Sequence, residues 1–245
     1  MKRISWYLII SIALIALWQW AGSSSDTVRL LLSSPSHMVS YFSENAFDLI
    51  EATGITFWEA LLGLLVAIVL SFGTMILCFY KPKLMDIVLP VMVASQVIPL
   101  IVLAPFFIIL LGMGVASKVA MAALMSFFPV FVNFAQGYKA ISINTHELMT
   151  IYQAPLSYRI KNVYFPLSMP SIMAGLKVSA TLAVIGAIVA EFNGTDFGLG
   201  KNLFLSAKRL EPDLMMVSLF LSTLLGIVMY SSIMIIERFF GKWYL

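Results

Sequence analysis

Charge is scarce in this chain. Asp, Glu, Lys and Arg make up 11% of its 245 residues, against about a quarter in a soluble domain. Hydrophobic residues reach 61% and the mean hydropathy is +0.97. Such a chain has too few polar groups to cover a water-facing surface, so its solvent is lipid. The net charge of +3 is too small to suggest nucleic acid. The single cysteine, Cys78, sits inside a hydrophobic run and excludes a disulfide framework. The two histidines, His37 and His146, come with no H-E-x-x-H and no paired cysteines, so no metal site can be assembled. No G-x-x-x-x-G-K-[ST] motif occurs. The nearest stretch, GTDFGLGKN at 194–202, has the wrong glycine spacing and Asn202 where Ser or Thr should stand. Its glycines fit a tight turn or close helix packing instead.

Long apolar runs are what the chain does have. A bilayer core takes about twenty consecutive apolar residues per helix. The pattern predicts an all-α integral membrane protein, a single transmembrane domain over 1–245 with six spans, roughly 4–21, 57–79, 84–112, 115–138, 170–190 and 214–236. The third run contains Pro90, Pro99 and Pro105. It is expected to kink, or to be preceded by a helical stretch along the membrane surface, because proline frees backbone groups that neighbouring helices or water must satisfy. The start, MKRISWYLIISIALIALWQWAGSSS, has the basic tip and small residues of a secretory leader. Its apolar run is long for one, and it is read as a retained first span.

Lysine and arginine placement sets orientation. With a cytoplasmic N-terminus, Lys2, Arg3, Lys81, Lys83, Lys139, Arg159, Lys161, Lys177, Arg238 and Lys242 fall on or near the inner face. Arg29, Lys118, Lys201, Lys208 and Arg209 fall outside. Both termini are therefore expected inside.

One polar interruption then stands out. HELMTIYQAPLSYRIKNVYFP, residues 146–166, lies between spans four and five on the cytoplasmic side. Leu148, Ile151 and Tyr152 follow i, i+3, i+4, and Leu156, Ile160, Val163 and Tyr164 follow i, i+4, i+7, i+8. Each set makes one apolar stripe on a short helix. Between them Gln153-Ala154-Pro155 breaks the helix, since proline disfavours helix before it and fits the first turn after it. Two readings fit: a pair of short amphipathic helices at an angle, or a loop resting on lipid headgroups.

The same stretch resembles the cytoplasmic signature of ABC importer permease subunits, written E-A-A, three residues, G, nine residues, I-x-L-P. Glu147-Leu148-Met149 stand at E-A-A, Gln153 at G, Val163 at I and Phe165-Pro166 at L-P. Spacing holds throughout. The alanine pair has become Leu148-Met149 and the glycine Gln153, which puts the sharpness of the turn in question, with Pro155 available to share that work. MPSIMAGLKVS at 169–179 is similar to the P-x-I-x-x-G-L-[RK] run of the next span in that family. VIPLIVLAPFFIILLGMGVASKV and FFPVFVNFAQGYKAI resemble its third and fourth spans. AIVAEFNGTDFGLGKNL, with E-x(6)-GLG, and the early SSPSHMVSYF resemble its nitrate, sulfonate and taurine branch.

The resemblance implies a non-catalytic permease subunit of an ATP-driven importer in the bacterial cytoplasmic (inner) membrane. Two permease copies, identical or paralogous, would form the path for a small solute such as a sulfonate, nitrate or vitamin precursor. The implied partners are ATP-binding subunits, which hold ATP and Mg, and an extracytoplasmic substrate-binding protein; this chain itself would hold no cofactor. Coupling helices within 144–166 would contact the ATPase through Glu147, Leu148, Ile151, Tyr152, Gln153, Ala154, Pro155 and Leu156, with Arg159 and Lys161 at the rim and Pro166 closing the signature. Glu147 also suits a local cap or pair. Candidates for the translocation path are Gln96, Asn133, Gln136, Ser179, Thr181 and Glu191, although interhelical hydrogen bonding explains the uncharged ones equally and a helix-end role suits Glu191. An ion-coupled secondary transporter is disfavoured by the near absence of ionisable residues deep in the spans. A non-transporting membrane scaffold is the remaining alternative.

Overall fold

The computed structural model describes the chain except residues 1, 25–27, 29–31, 96–98, 194–196 and 242–245, and except the side chains of 2–5, 7, 8, 95, 100 and 240. Its described elements are helical: α1 (Lys2–Ser23), α2 (Pro35–Glu44), α3 (Ala46–Tyr80), α4 (Pro82–Ser95), α5 (Leu103–Leu111), α6 (Val115–Lys139), α7 (Ile143–Ile151), α8 (Leu156–Arg159), α9 (Phe165–Phe192), α10 (Leu199–Arg209) and α11 (Pro212–Phe240). A short 3-10 turn, Leu100–Val102, precedes α5. A π turn, Ile160–Tyr164, joins α8 to α9, so Leu156–Phe192 is one uninterrupted helical stretch.

Four helical stretches are long and apolar enough to cross a bilayer among the described residues: Ala46–Tyr80, Val115–Lys139, Leu156–Phe192 and Pro212–Phe239. The apolar part of α1, Ile9–Ser23, is shorter. These coincide with five of the expected runs. The run at 84–112 does not form one helix: it is divided into α4, the 3-10 turn and α5, with Pro99 between the described helices and Pro105 in the first turn of α5. A proline early in a helix costs no backbone donor that the helix would have used, so the break falls where the sequence tolerates it. The second span also starts earlier than expected, at Ala46, because Asp48 and Glu51 lower hydropathy there without interrupting a helix, Asp48 standing in its first turn.

The chain divides into two compact units. The first comprises residues 1–56 and 191–224. Here the SSPS segment is a fastening. Trp18 Nε1 donates to the Ser33 carbonyl at 3.0 Å, and Gln19 bonds both the Ser36 hydroxyl, at 2.8 Å, and its backbone N–H, at 3.1 Å. Ser33 also donates to Asp213 in the first turn of α11. Ser34 caps α2 and Pro35 takes its first turn, where its fixed φ suits a helix start. The Tyr41 phenol on α2 is pushed up by burial and then by the nearby Glu211 and Asp213 carboxylates.

The second unit comprises residues 57–190 and 225–245. Its core is α3, α6 and α9 in very close packing. Ala122 of α6 lies between Gly63 of α3 and Gly186 of α9; a Cβ on Gly186 would fall 2.7 Å from the Ala122 Cα. Ser126 and Ser179 exchange hydrogen bonds, each hydroxyl donating to the other residue's carbonyl at 3.0 and 2.8 Å. Small residues and hydroxyl-to-carbonyl bonds are what drives helix association where lipid removes the hydrophobic incentive. Around this core, Val69, Ile109 and Phe239 are largely exposed, as suits lipid-facing surface.

Candidate functional site

The polar elbow begins at Ser142, whose hydroxyl accepts from the Thr145 N–H and caps α7. After Ile151 the chain turns sharply. Gln153 takes φ +47°, in the left-handed region. Its N–H donates to the Thr150 carbonyl at 3.0 Å, and the Ala154 N–H donates to the Met149 carbonyl at 3.1 Å. This pair of bonds is the Schellman helix stop, which favours glycine at the left-handed position. The turn expected of a glycine is thus made by a glutamine, at an estimated cost of roughly 1 kcal/mol. Pro155 then opens α8.

Arg159 holds the elbow closed. Its Nε donates to the Ala154 carbonyl at 2.7 Å, and Nη1 reaches the Thr150 hydroxyl at 3.4 Å. Arg159 is half-buried, and these bonds fasten its guanidinium across the turn. Lys161 is exposed, and Pro166 lies in the first turn of α9. The second apolar stripe faces inward along its length: Leu156, Ile160 and Val163 are half-buried and Tyr164 is buried. Rather than forming a free second helix, it feeds through the π turn into α9.

The first stripe is open. Ile151 is 77% exposed and Tyr152 73%, with Leu148 and Ile143 beside them. Glu147 is exposed and, with His146, Thr150 and Ile151, lines a shallow cavity of about 440 Å³. The elbow is anchored by aromatic rings. His146 packs on Tyr138 and Tyr164 at 5.5 and 5.2 Å between centroids, and both tyrosines reach Phe79, at 4.9 and 5.5 Å. Phe79 continues to Phe134, which meets Phe72 and Phe165.

The path candidates are dispersed. Gln96 lies outside the described residues. Asn133 donates to the Pro129 carbonyl at 2.8 Å and packs against Gly175, so it serves the α6–α9 contact. Ser179 is buried in its exchange with Ser126. Thr181 bonds the Val178 carbonyl, while Gln136 is exposed.

Glu191 is fully buried. Its Oε1 accepts from the Thr56 hydroxyl at 2.7 Å and its Oε2 from the Gly200 N–H at 2.6 Å. Thr56 in turn accepts from the Leu199 N–H at 3.0 Å. Two orphan donors at the start of α10 are thereby satisfied, and a carboxylate sits where the helix dipole favours it. Gly198 has φ +108°, and a Cβ there would collide with the Glu191 carboxyl. The E-x(6)-GLG pattern is the chemistry of this clasp.

Two ion pairs escaped sequence reasoning. Glu59 of α3 and Lys118 of α6 form an ion pair at 3.1 Å, both almost fully buried. Also in the second unit, Lys177 of α9 donates to both Glu237 oxygens, at 2.9 and 3.1 Å. Nothing in the spacing of these residues ties one to the other; only the presence of opposite charges in apolar runs hints at a partner.

Known proteins place the chain. Residues 60–244 match the model of the binding-protein-dependent transport system inner membrane component family. The formylaminopyrimidine transport permease of Halalkalibacterium halodurans is 33% identical over 87% of this chain and 86% of its own. An aliphatic sulfonates transport permease of Bacillus subtilis is 25% identical over 99% and 89%. The riboflavin transport system permease of Chloroflexus aurantiacus is 31% identical over 63% and 58%. With its apolar crossing helices, its signature elbow and relatives of this kind over most of its length, the chain belongs to the binding-protein-dependent inner membrane components, the permease subunits of ABC importers.

Proposed function

We propose that this permease subunit pairs with a second copy or a paralogue, carries both termini in the cytoplasm, and meets its ATPase through the elbow at 143–164. The observation that carries the reading is the open stripe of Leu148, Ile151 and Tyr152 on a helix that is braced from behind. Large exposed apolar side chains beside polar groups mark a protein contact, and the aromatic anchor means that a push on α7 is passed to α6 and α3 and not absorbed by a loose loop. ATP and Mg reside in the partner; the chain contributes a passive bundle. We read the chain as six crossings, the third being the broken α4–α5 stretch.

For the solute, we favour a small nitrogen heterocycle of the vitamin-precursor kind over a sulfonate. The formylaminopyrimidine permease combines higher identity with coverage of most of both chains, whereas the sulfonate permeases match at lower identity. The test is reconstitution of the permease with its ATPase and binding protein in proteoliposomes. A labelled aminopyrimidine should accumulate only with ATP and loaded binding protein. Accumulation without ATP, driven by an ion gradient, would contradict the importer reading. Accumulation of an alkanesulfonate instead would overturn the solute assignment alone.

A further inference from the structure

We propose that Glu191, acting through Thr56 and the Gly198–Gly200 turn, is a positioning residue that holds α10 as a preformed surface for the binding protein. The clasp is a network centred on the buried carboxylate, in which the Thr56 hydroxyl lies within reach of both Glu191 Oε1 and the Ala52 carbonyl. The carboxylate accepts from Thr56 and from the Gly200 N–H, Thr56 accepts from the Leu199 N–H, and Gly198, lacking a Cβ, leaves room for the carboxyl. A buried carboxylate held this way is expensive to place, and what it secures is the start of one amphipathic helix.

That helix, α10, follows α9 and precedes α11 along the chain. Leu199, Gly200 and Ser206 are its buried side, while Lys208 and Arg209 are exposed. Beside Gly198 an open cavity of about 260 Å³ is lined by Asp48, Glu51, Ile55, Phe197, Lys201 and Asn202. Groups of both signs within one recess suit a folded protein surface carrying the opposite arrangement, and suit lipid poorly. The assignment of sides rests on the importer reading above. Along the chain one span, α9, separates the elbow from α10, so an elbow that meets the ATPase leaves α10 on the side of the binding protein. A surface ordered in advance lowers the cost of association, and Glu191 supplies that order without touching the partner.

The experiment measures ATP hydrolysis by the complete permease–ATPase assembly in lipid against binding-protein concentration. In the native assembly, stimulation by the binding protein establishes the importer reading; its absence would remove that reading before the clasp is questioned. With stimulation present, Glu191→Gln places an amide N–H₂ against one of two donors, and Thr56→Val removes both a donor and an acceptor at similar volume. Each should raise the half-saturating binding-protein concentration about fivefold or more, the low end for coupled sites, with the maximal rate at saturation much less affected. Thr56→Ser, which restores both bonds, should return the native half-saturation. If Thr56→Val saturates like the native assembly, or if Thr56→Ser fails to rescue, the clasp does not position the docking surface. A fall in maximal rate with unchanged half-saturation would assign Glu191 to the bundle's fold and overturn the proposal as well.

Discussion

Glu59 and Lys118 face each other at 3.1 Å with almost no solvent access to either. Buried pairs of this kind are weak sources of net stability, because removing two charges from water costs about as much as their attraction returns. Removing one partner is different, since the other is left as an uncompensated buried charge. Glu59→Leu or Lys118→Leu alone should each cost about 3–5 kcal/mol. The double replacement Glu59→Leu with Lys118→Leu should recover most of that loss. Thermal unfolding of the four proteins in one detergent, analysed as a double-mutant cycle, checks this; additive losses would mean that the two side chains do not interact.

Gln153 occupies a position made for glycine. Replacing it with glycine should relieve the left-handed backbone and stabilise the elbow by roughly 0.5–1 kcal/mol. Replacement by Val should destabilise it, because a β-branched side chain is a true outlier at positive φ. Hydrogen exchange at the Ala154 and Gln153 amides, which close the turn, reports the change without requiring global unfolding.

Two glycines on α3 provide a matched contrast. Nothing lies within 4 Å of a Cβ built on Gly73, whereas one on Gly63 would collide with Ala122 and reach the Ala123 backbone at 3.0 Å. Gly73→Ala should therefore be neutral or stabilising by up to about 1 kcal/mol, as for any helix interior. Gly63→Ala should destabilise by about 1–3 kcal/mol through overpacking. Equal melting shifts for the two would mean that α3 and α6 are not in close contact.

Tyr164 is the hinge pin of the elbow, buried between His146, Tyr138 and Phe79. Tyr164→Ala should cost about 3–5 kcal/mol, as for other large core truncations. Tyr164→Phe keeps the ring contacts and should be close to native. Comparing yield and melting of the two variants separates ring packing from the hydroxyl.

Much of this was legible because membranes simplify sequence. The runs that became α3, α6, α9 and α11 announce themselves by length and hydropathy alone, and the elbow is visible as the polar gap between two of them. Turn chemistry was half visible: the spacing located the stop at residue 153, but the glutamine hid that the backbone there is left-handed. Pairs distant in the chain were invisible. Thr56 and Glu191 are 135 residues apart and Glu59 and Lys118 lie on different spans, so no periodicity connects them. The bonds of Arg159 were invisible for a related reason. Helical spacing says which face a side chain leaves from, whereas a long guanidinium can curl back to its own turn and satisfy carbonyls there.

The elbow's role rests on Ile151, exposed on α7 with no part in the core. Ile151→Asp in the reconstituted importer, assayed for solute accumulated per ATP hydrolysed, should lower that ratio at least about tenfold, a penalty of roughly 1.4 kcal/mol on the coupled contact, while the permease keeps its native melting temperature. An unchanged ratio, with the ATPase still bound and uptake still driven by ATP, would show that force enters the bundle somewhere else.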